Sequence, residues 1–266
     1  MIKCPASAGH FNLGGSMNNM KWGWKKDPED VRDIPYKAVS LKLPQIANVV
    51  YLIKSPVKNQ FDLGSCVFNG VVSEMESVMI QNDTIPPTVL SRLFAYWDYR
   101  NQYTNINEDT GAFPRDALKS IQKDGICLET SWPYNTDQWT TKPTDECWDE
   151  AKKYKIKSYH SIITLDDMLQ SVAEGWPFGC GIYVHKSFMS DEVARTGKVP
   201  MPAPGEEMLG GHFVYFWGYD RNKRVFHGQN SWGIEWGKKG TFTIPFDYLT
   251  NKNLADDCWT IRTLEK

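Results

Sequence analysis

The chain reads as an α+β protein of two lobes with a groove between them. Helix-period apolar patterns crowd its first half, while alternating and wholly apolar strand-like runs crowd its second. Three short polar motifs, one in the first half and two in the second, carry residues that can meet only if the halves face each other across a cleft.

Each element follows in turn from the residues. Residues 1–20 bear Gly, Asn and Met with little periodicity and read as a mobile arm. Together, residues 1–50 make an N-terminal lead-in able to serve as a short pro- or blocking segment. Residues 51–266 form the main domain, helical over about 55–155 and β-rich over about 156–266. Val67, Val71, Val72, Met75, Val78 and Met79 recur at spacings of three and four, which predicts a helix over 66–81 with one buried face. Asp83 to Thr88, with Pro86 and Pro87, breaks it. Further helices are expected over 91–101, over 114–123 before Asp124-Gly125, and over 165–174. Strands follow over 178–184, 212–219, 224–228, 241–244 and 258–264. Residues 186–208, with Pro200, Pro202 and Pro204, read as a long loop, either framing one side of the groove or lying on the surface away from it.

Composition narrows the function. With 266 residues, 41% of them hydrophobic and 13% aromatic, the chain can bury a full core. A net charge of −2 lacks the basic excess that nucleic acid or an anionic membrane would want. No apolar run approaches the roughly 18 residues of a membrane-spanning helix, and residues 1–20 lack the apolar stretch of a secretory signal. The expectation is a chain that is intracellular or already processed. Six cysteines are too few for a disulfide scaffold. Cys127 and Cys147 flank Trp132-Pro133-Tyr134 and can bridge, whereas Cys4, Cys180 and Cys258 read as free thiols. There is no paired C-x-x-C, and His10, His160, His185, His212 and His227 show no ligand spacing, so neither metal nor cofactor is expected.

The motifs are Gln60-Phe61-Asp62-Leu63-Gly64-Ser65-Cys66, Gly210-Gly211-His212-Phe213-Val214 and Asn230-Ser231-Trp232-Gly233. A thiol attacks a carbonyl as thiolate, and Cys66 opens a helix whose unpaired N–H groups favour an anion by roughly 0.3–1 kcal/mol. A protonated imidazole supplies the rest, with His212 the candidate. Asn230 can fix its tautomer and orientation.

This set resembles the papain-like cysteine peptidases, in a bacterial and viral-type branch related to the cathepsins. The resemblance runs from about Asp27 to the C-terminus and includes Leu90-Ser91-Arg92, Gly111-Ala112-Phe113-Pro114, Trp132-Pro133-Tyr134, Trp217-Gly218-Tyr219 and Trp236-Gly237. It implies a papain-like two-lobed fold, with a helical lobe, a β-barrel-like lobe and the active site between them. It implies an endopeptidase in which Cys66 is the nucleophile, His212 the base and acid, Asn230 its orienter and Gln60, six residues before Cys66, an oxyanion donor. Trp232 would shield the Asn–His hydrogen bond, and Gly111, Ala112 and Phe113 would pair with an extended substrate. Phe113, Pro114 and Phe213, with Gly210 and Gly211, would line an apolar pocket for the residue two places before the cut. A compact hydrophobic residue is expected there. Polypeptide substrates, no nucleic acid, no membrane and a monomer complete the expectation.

Three positions depart from the family. Val67 replaces an aromatic residue after the nucleophile, Phe213 replaces a small residue after the histidine, and Leu63 stands where a disulfide cysteine is common. A non-catalytic peptide- or partner-binding relative is the alternative; such relatives typically lose the Cys or the His, and both stand here. Acyl transfer to an amine, as in transglutaminases, usually employs Asp in the place of Asn230.

Overall fold

A computed structural model describes residues 21–38, 42–48, 55–81 and 89–264. The arm over 1–20, Cys4 and the break over 83–88 lie outside the described residues.

Helix α1 (Cys66–Gln81) is the centre of the molecule. Its apolar spacing predicted one buried face, yet every residue from Cys66 to Met79 is buried. The helix is wedged between the other helices and the sheet, so its polar positions need partners of their own. Glu76 accepts from Lys58 Nζ at 2.9 Å and from the Leu90 N–H at 2.9 Å. Glu74 accepts the Ile261 N–H at 2.6 Å, and burial pushes its carboxyl well above the usual range. Ser73 and Ser77 return their hydroxyls to the carbonyls of Asn69 and Ser73, at 2.8 and 2.9 Å.

Helix α2 (Arg92–Tyr103) starts at Ser91, whose Oγ accepts the Phe94 N–H at 3.1 Å. Helix α3 (Pro114–Asp124) carries proline at its first position and stops at Gly125, where φ is 84°. Helix α4 (Asp145–Ala151) completes this half.

The second half is a sheet whose pairings are all antiparallel. Strands β1 (Ile46–Asn48), β2 (Ile156–Ile162), β3 (Phe178–His185), β4 (Met208–Asp220), β5 (Val225–Gln229), β6 (Thr241–Pro245) and β7 (Ala255–Leu264) run in the order β2-β7-β3-β4-β5-β6, with β1 on β4. Helix α5 (Leu165–Ala173) opens with a capping box of Thr164 and Asp167. Two short helices, α6 (Asp191–Thr196) and α7 (Phe246–Thr250), pack at its edges.

Alternation along β4 joins two cores: Phe213 enters the one shared with α1, and Val214 enters the one beyond the sheet. Strands β1 and β2 were not foreseen. β1 is three residues long, and β2 is fully buried only at its two ends, with a half-exposed middle. The 186–208 segment is less of a loop than expected, since it contains α6 and buries Phe188 in the second core.

The cysteine expectation needs correction. Cys180 and Cys258, read as free thiols, are joined by a disulfide, while Cys127 and Cys147 remain free and buried. The reason lies in the pairing of β3 with β7, which brings two residues 78 apart in sequence to a Cα separation of 4.1 Å.

Candidate active site

Cys66 is the first residue of α1, and its thiol is completely buried. The backbone N–H groups of Phe213, Gly23, Val67 and Cys66 itself are directed at the sulfur. Burial outweighs them and pushes the thiol up to about 11.

His212 sits on β4 opposite Ile182 of β3, one residue from the amide that faces Cys66. Its Nε2 lies 2.8 Å from Asn230 Oδ1. That oxygen also accepts the Ser231 N–H at 2.8 Å, which fixes it as the carbonyl side of the amide. Nε2 therefore carries the proton, and Nδ1 is left as a bare lone pair, buried and without a hydrogen-bond partner. Burial lowers the imidazole to about 4. The Trp232 ring stacks on His212 with centroids 4.8 Å apart at 24°, and Phe188 and Trp236 brace it edge-on from behind.

Gln60 is tied to the same loop. Its N–H donates to the Ser231 carbonyl at 2.8 Å, and its Oε1 accepts the Ser231 hydroxyl at 2.7 Å. The Gln60 Nε2 therefore points the other way, donating to the Leu63 carbonyl at 3.1 Å and to the Lys21 carbonyl at 3.2 Å.

Lys21 is the first sign of what fills the groove. The segment 21–25 runs through it and pairs as a parallel strand with the strip at Ala112. The Ala112 N–H donates to the Gly23 carbonyl at 2.7 Å, and the Lys25 N–H donates to the Ala112 carbonyl at 3.0 Å. The Trp24 N–H donates to the Gly211 carbonyl at 3.2 Å. Gly23 lies over the nucleophile position so closely that a Cβ there would stand 2.0 Å from the Gly64 oxygen and 3.1 Å from Cys66 Sγ. Trp22 covers Gly210 and meets both His212 and Trp232 edge-on at 6.4 and 6.3 Å.

The structure thus brings Cys66, His212, Asn230, Gln60 and Trp232 to one place, with Gly111, Ala112, Gly210 and Gly211 along the groove. Gly111 donates its N–H to Tyr96 Oη at 3.1 Å. Phe113 is the N-cap of α3 and faces the Lys25 ammonium at 5.7 Å, and Pro114 is buried in the first turn of that helix. Phe213 is a correction: its ring is buried against Gly70 of α1 and Gly179 of β3 and does not line the groove. The strand alternation that aims His212 at the groove turns its neighbour into the core.

Sequence reasoning missed the supports of the nucleophile loop. Asp109 accepts the Gly64 N–H with both oxygens at 3.0 Å and the Tyr96 hydroxyl at 2.6 Å. The Tyr134 hydroxyl contacts Ser65 Oγ at 2.7 Å and donates to the Gln60 carbonyl at 3.0 Å. The lead-in over residues 1–50 was expected to be able to block the groove, but the contact itself was not placed at 21–25, where the local signal is a glycine between two tryptophans. Among the described residues no group of three or more His, Cys, Asp or Glu is placed to hold a metal ion, and no helix is long and apolar enough to cross a membrane.

Residues 50–259 match the family described as papain family cysteine protease. An uncharacterized peptidase C1-like protein of Acanthamoeba polyphaga mimivirus is 32% identical over 91% of this chain and 86% of its own length. The crystal structure of xylellain, a cysteine protease from Xylella fastidiosa, superposes with a TM-score of 0.87 at 31% identity, covering 93% of this chain and 97% of that one. A procathepsin B from Trypanosoma congolense shares the fold, with a TM-score of 0.75 at 15% identity over 96% of this chain and 89% of its own.

Proposed function

The chain belongs to the papain family of cysteine proteases, and on that premise we propose that it is an endopeptidase working through an acyl-enzyme on Cys66. His212 Nδ1 takes the thiol proton as Sγ bonds to the scissile carbonyl carbon. The resulting oxyanion is held by Gln60 Nε2–H and the Cys66 N–H. His212 then passes its proton to the leaving amine as the C–N bond breaks, and a water deprotonated by the same nitrogen releases the acid. The observation that carries this reading is the His212–Asn230 contact at 2.8 Å, which commits Nε2–H and leaves Nδ1 free under the Trp232 ring.

We further read segment 21–25 as a block that holds the site in a resting form. The Lys21 carbonyl occupies the Gln60 amide, Gly23 covers Cys66, and Trp24 lies opposite Ala112. A substrate would run from the Ala112 strip towards Cys66 and then Gln60. The segment runs in the reverse direction, and its Lys21 carbonyl takes the Gln60 amide that a scissile carbonyl would need. It also excludes water, which disfavours both charges of a thiolate–imidazolium pair: the thiol is pushed up and the imidazole down. Opening the groove rehydrates both groups and permits the proton transfer.

A close-fitting glycine suggests the test. Gly23→Val places carbon against the Gly64 carbonyl and drives the segment out. An epoxysuccinyl peptide is expected to label Cys66 slowly in the natural chain and much faster in Gly23→Val, with no adduct at that site in Cys66→Ala and with peptide hydrolysis rising in parallel. Labelling of Cys66 no faster than that of Cys127 or Cys147 in Gly23→Val, with no hydrolysis, would establish the non-catalytic binder instead. Intact Gln60, Cys66, His212 and Asn230 argue against that outcome.

A further inference from the structure

Phe213 departs from the family, and the peptidase reading leaves its side chain without a task. Its N–H is directed at the Cys66 sulfur, while its ring meets the same helix one turn further on, at Gly70. A Cβ at Gly70 would stand 2.7 Å from Cδ1 and 3.0 Å from Cε1 of the ring. Across the ring lies Gly179 of β3, where a Cβ would stand 2.5 Å from Cε1 and from Cζ. Neither glycine has the positive φ that would demand it, since Gly70 is helical and Gly179 lies in a strand. Glycine weakens both kinds of element, so the ring it admits is what accounts for it at each position.

We infer that Phe213 is a positioning residue for Cys66 and His212: its ring, seated between Gly70 and Gly179, sets the spacing between the nucleophile's helix and the base's strand. The inference rests on the roles given to Cys66 and His212 under the proposed function. Phe213 adjoins His212 in β4, so a shift of the ring's seat shifts the backbone that carries the imidazole.

Strand pairing holds β4 within the plane of its sheet and leaves its height above α1 open. Side chains packed between sheet and helix set that height, and towards the Cys66 end of α1 the Phe213 ring is the filler. Close-packed interiors pass on a change of even one methylene, and proton transfer from thiol to imidazole requires the two within hydrogen-bond reach. Beside the ring lies a cavity of about 10 Å³, also bordered by Asn69, Ser73, Asn230 and Ser231. It is too small to take the ring, which therefore has a single seat. It also borders Asn230, so an emptied seat would loosen the orienter of His212 as well. The ionisable groups around the ring are Glu74 beside Gly179, Lys58 and Tyr215 at the cavity, and Glu76, paired with Lys58 at 2.9 Å.

Two substitutions should err in opposite directions and correct each other. In the full-length chain opened by Gly23→Val, Phe213→Leu leaves the seat underfilled and Gly70→Ala overfills it. Each alone is expected to lower kcat by about tenfold or more with KM within about twofold, because the groove is untouched. Together they nearly conserve volume, and kcat should return to within about threefold of the Gly23→Val chain. Lowered unfolding midpoints with kcat unchanged would mean packing alone and overturn the inference, as would losses that the pair does not restore. The second measurement needs no hydrolysis. Alkylation of Cys66 by iodoacetamide, followed against pH in the same four chains, reports how far His212 stabilises the thiolate. With the pair in register the rate should rise below about pH 7. In either single variant the rise should move up by about one pH unit or more, towards the ordinary thiol value of about 8.5, and it should return in the double variant. Profiles that coincide in all four chains overturn the inference, and with hydrolysis retained they leave the peptidase reading standing. Profiles shifted by each single variant and restored in the double, with no peptide hydrolysis in any chain, uphold the positioning role and defeat the peptidase reading.

Discussion

His212 and Cys66 reach the same point from regions built in different ways. His212 stands on β4, which is paired by β3 from Met208 to Phe216, by β5 from Tyr215 to Asp220 and by β1 from Gly218 to Asp220, so that its position is set by backbone hydrogen bonds. Cys66 follows a loop held by side chains from far along the sequence: Asp109 on the Gly64 N–H, Tyr134 on Ser65 and Gln60, and Ser231 on the Gln60 amide. A lattice of backbone pairs tolerates the loss of a side chain. A loop fixed by three side chains does not. The base side should therefore lose chemistry without losing structure, and the nucleophile side should lose both together.

The sharpest test on the base side is Asn230→Ala, assayed in the chain opened by Gly23→Val. Losing the acceptor on Nε2–H frees the imidazole to rotate and change tautomer, so kcat/KM should fall by about 10²–10³. Denaturant unfolding should show a cost of only about 1 kcal/mol, because the strand pairing remains. A comparable loss of stability and activity would erase the contrast between the regions.

On the nucleophile side, Asp109→Ala strands the Gly64 N–H and the Tyr96 hydroxyl and removes the partner of Lys21 at 3.1 Å. We expect about 2–3 kcal/mol of destabilisation in denaturant melts, accompanied by faster alkylation of Cys66 as the resting segment loosens. Unchanged stability would mean that the loop is held elsewhere.

The smallest expected effect concerns pH. With segment 21–27 docked, burial, with repulsion from neighbouring carboxylates, raises Asp27 to about 7 and Asp257 to about 6. Released, each should return to the ordinary value near about 4. The docked state thus holds protons more tightly, so docking is strongest below about pH 4 and weakens as pH rises through 6 and 7, by at most about tenfold per pH unit for each carboxyl. The groups facing this pair are Arg115, Lys26, Asp256 and the Trp24 and Trp259 indoles. Tryptophan fluorescence of Cys66→Ala should report opening towards neutral pH, with a shallower slope in Asp257→Asn. Opening on acidification instead would reverse the assigned linkage.

Much of this was legible along the chain. Apolar positions three and four apart mark α1, and the proline at 114 and glycine at 125 bound α3. The motif residues Gln60, Cys66, His212 and Asn230 announce themselves because each role proposed for them demands one residue type in a local setting. What the chain by itself determined is therefore local: periodicity, turn chemistry and the identity of reactive groups. Tertiary structure alone decided the rest. The direction of Phe213 depends on the register of β4 against β3. The joining of Cys180 to Cys258 depends on β7 inserting beside β3. Asp257 meets the Trp24 indole across 233 residues, and no periodicity carries information over that separation. The physical reason is common to all three. Each is set by which strands become neighbours, and that choice is made by burial summed over the whole sheet, with no signature in any one segment.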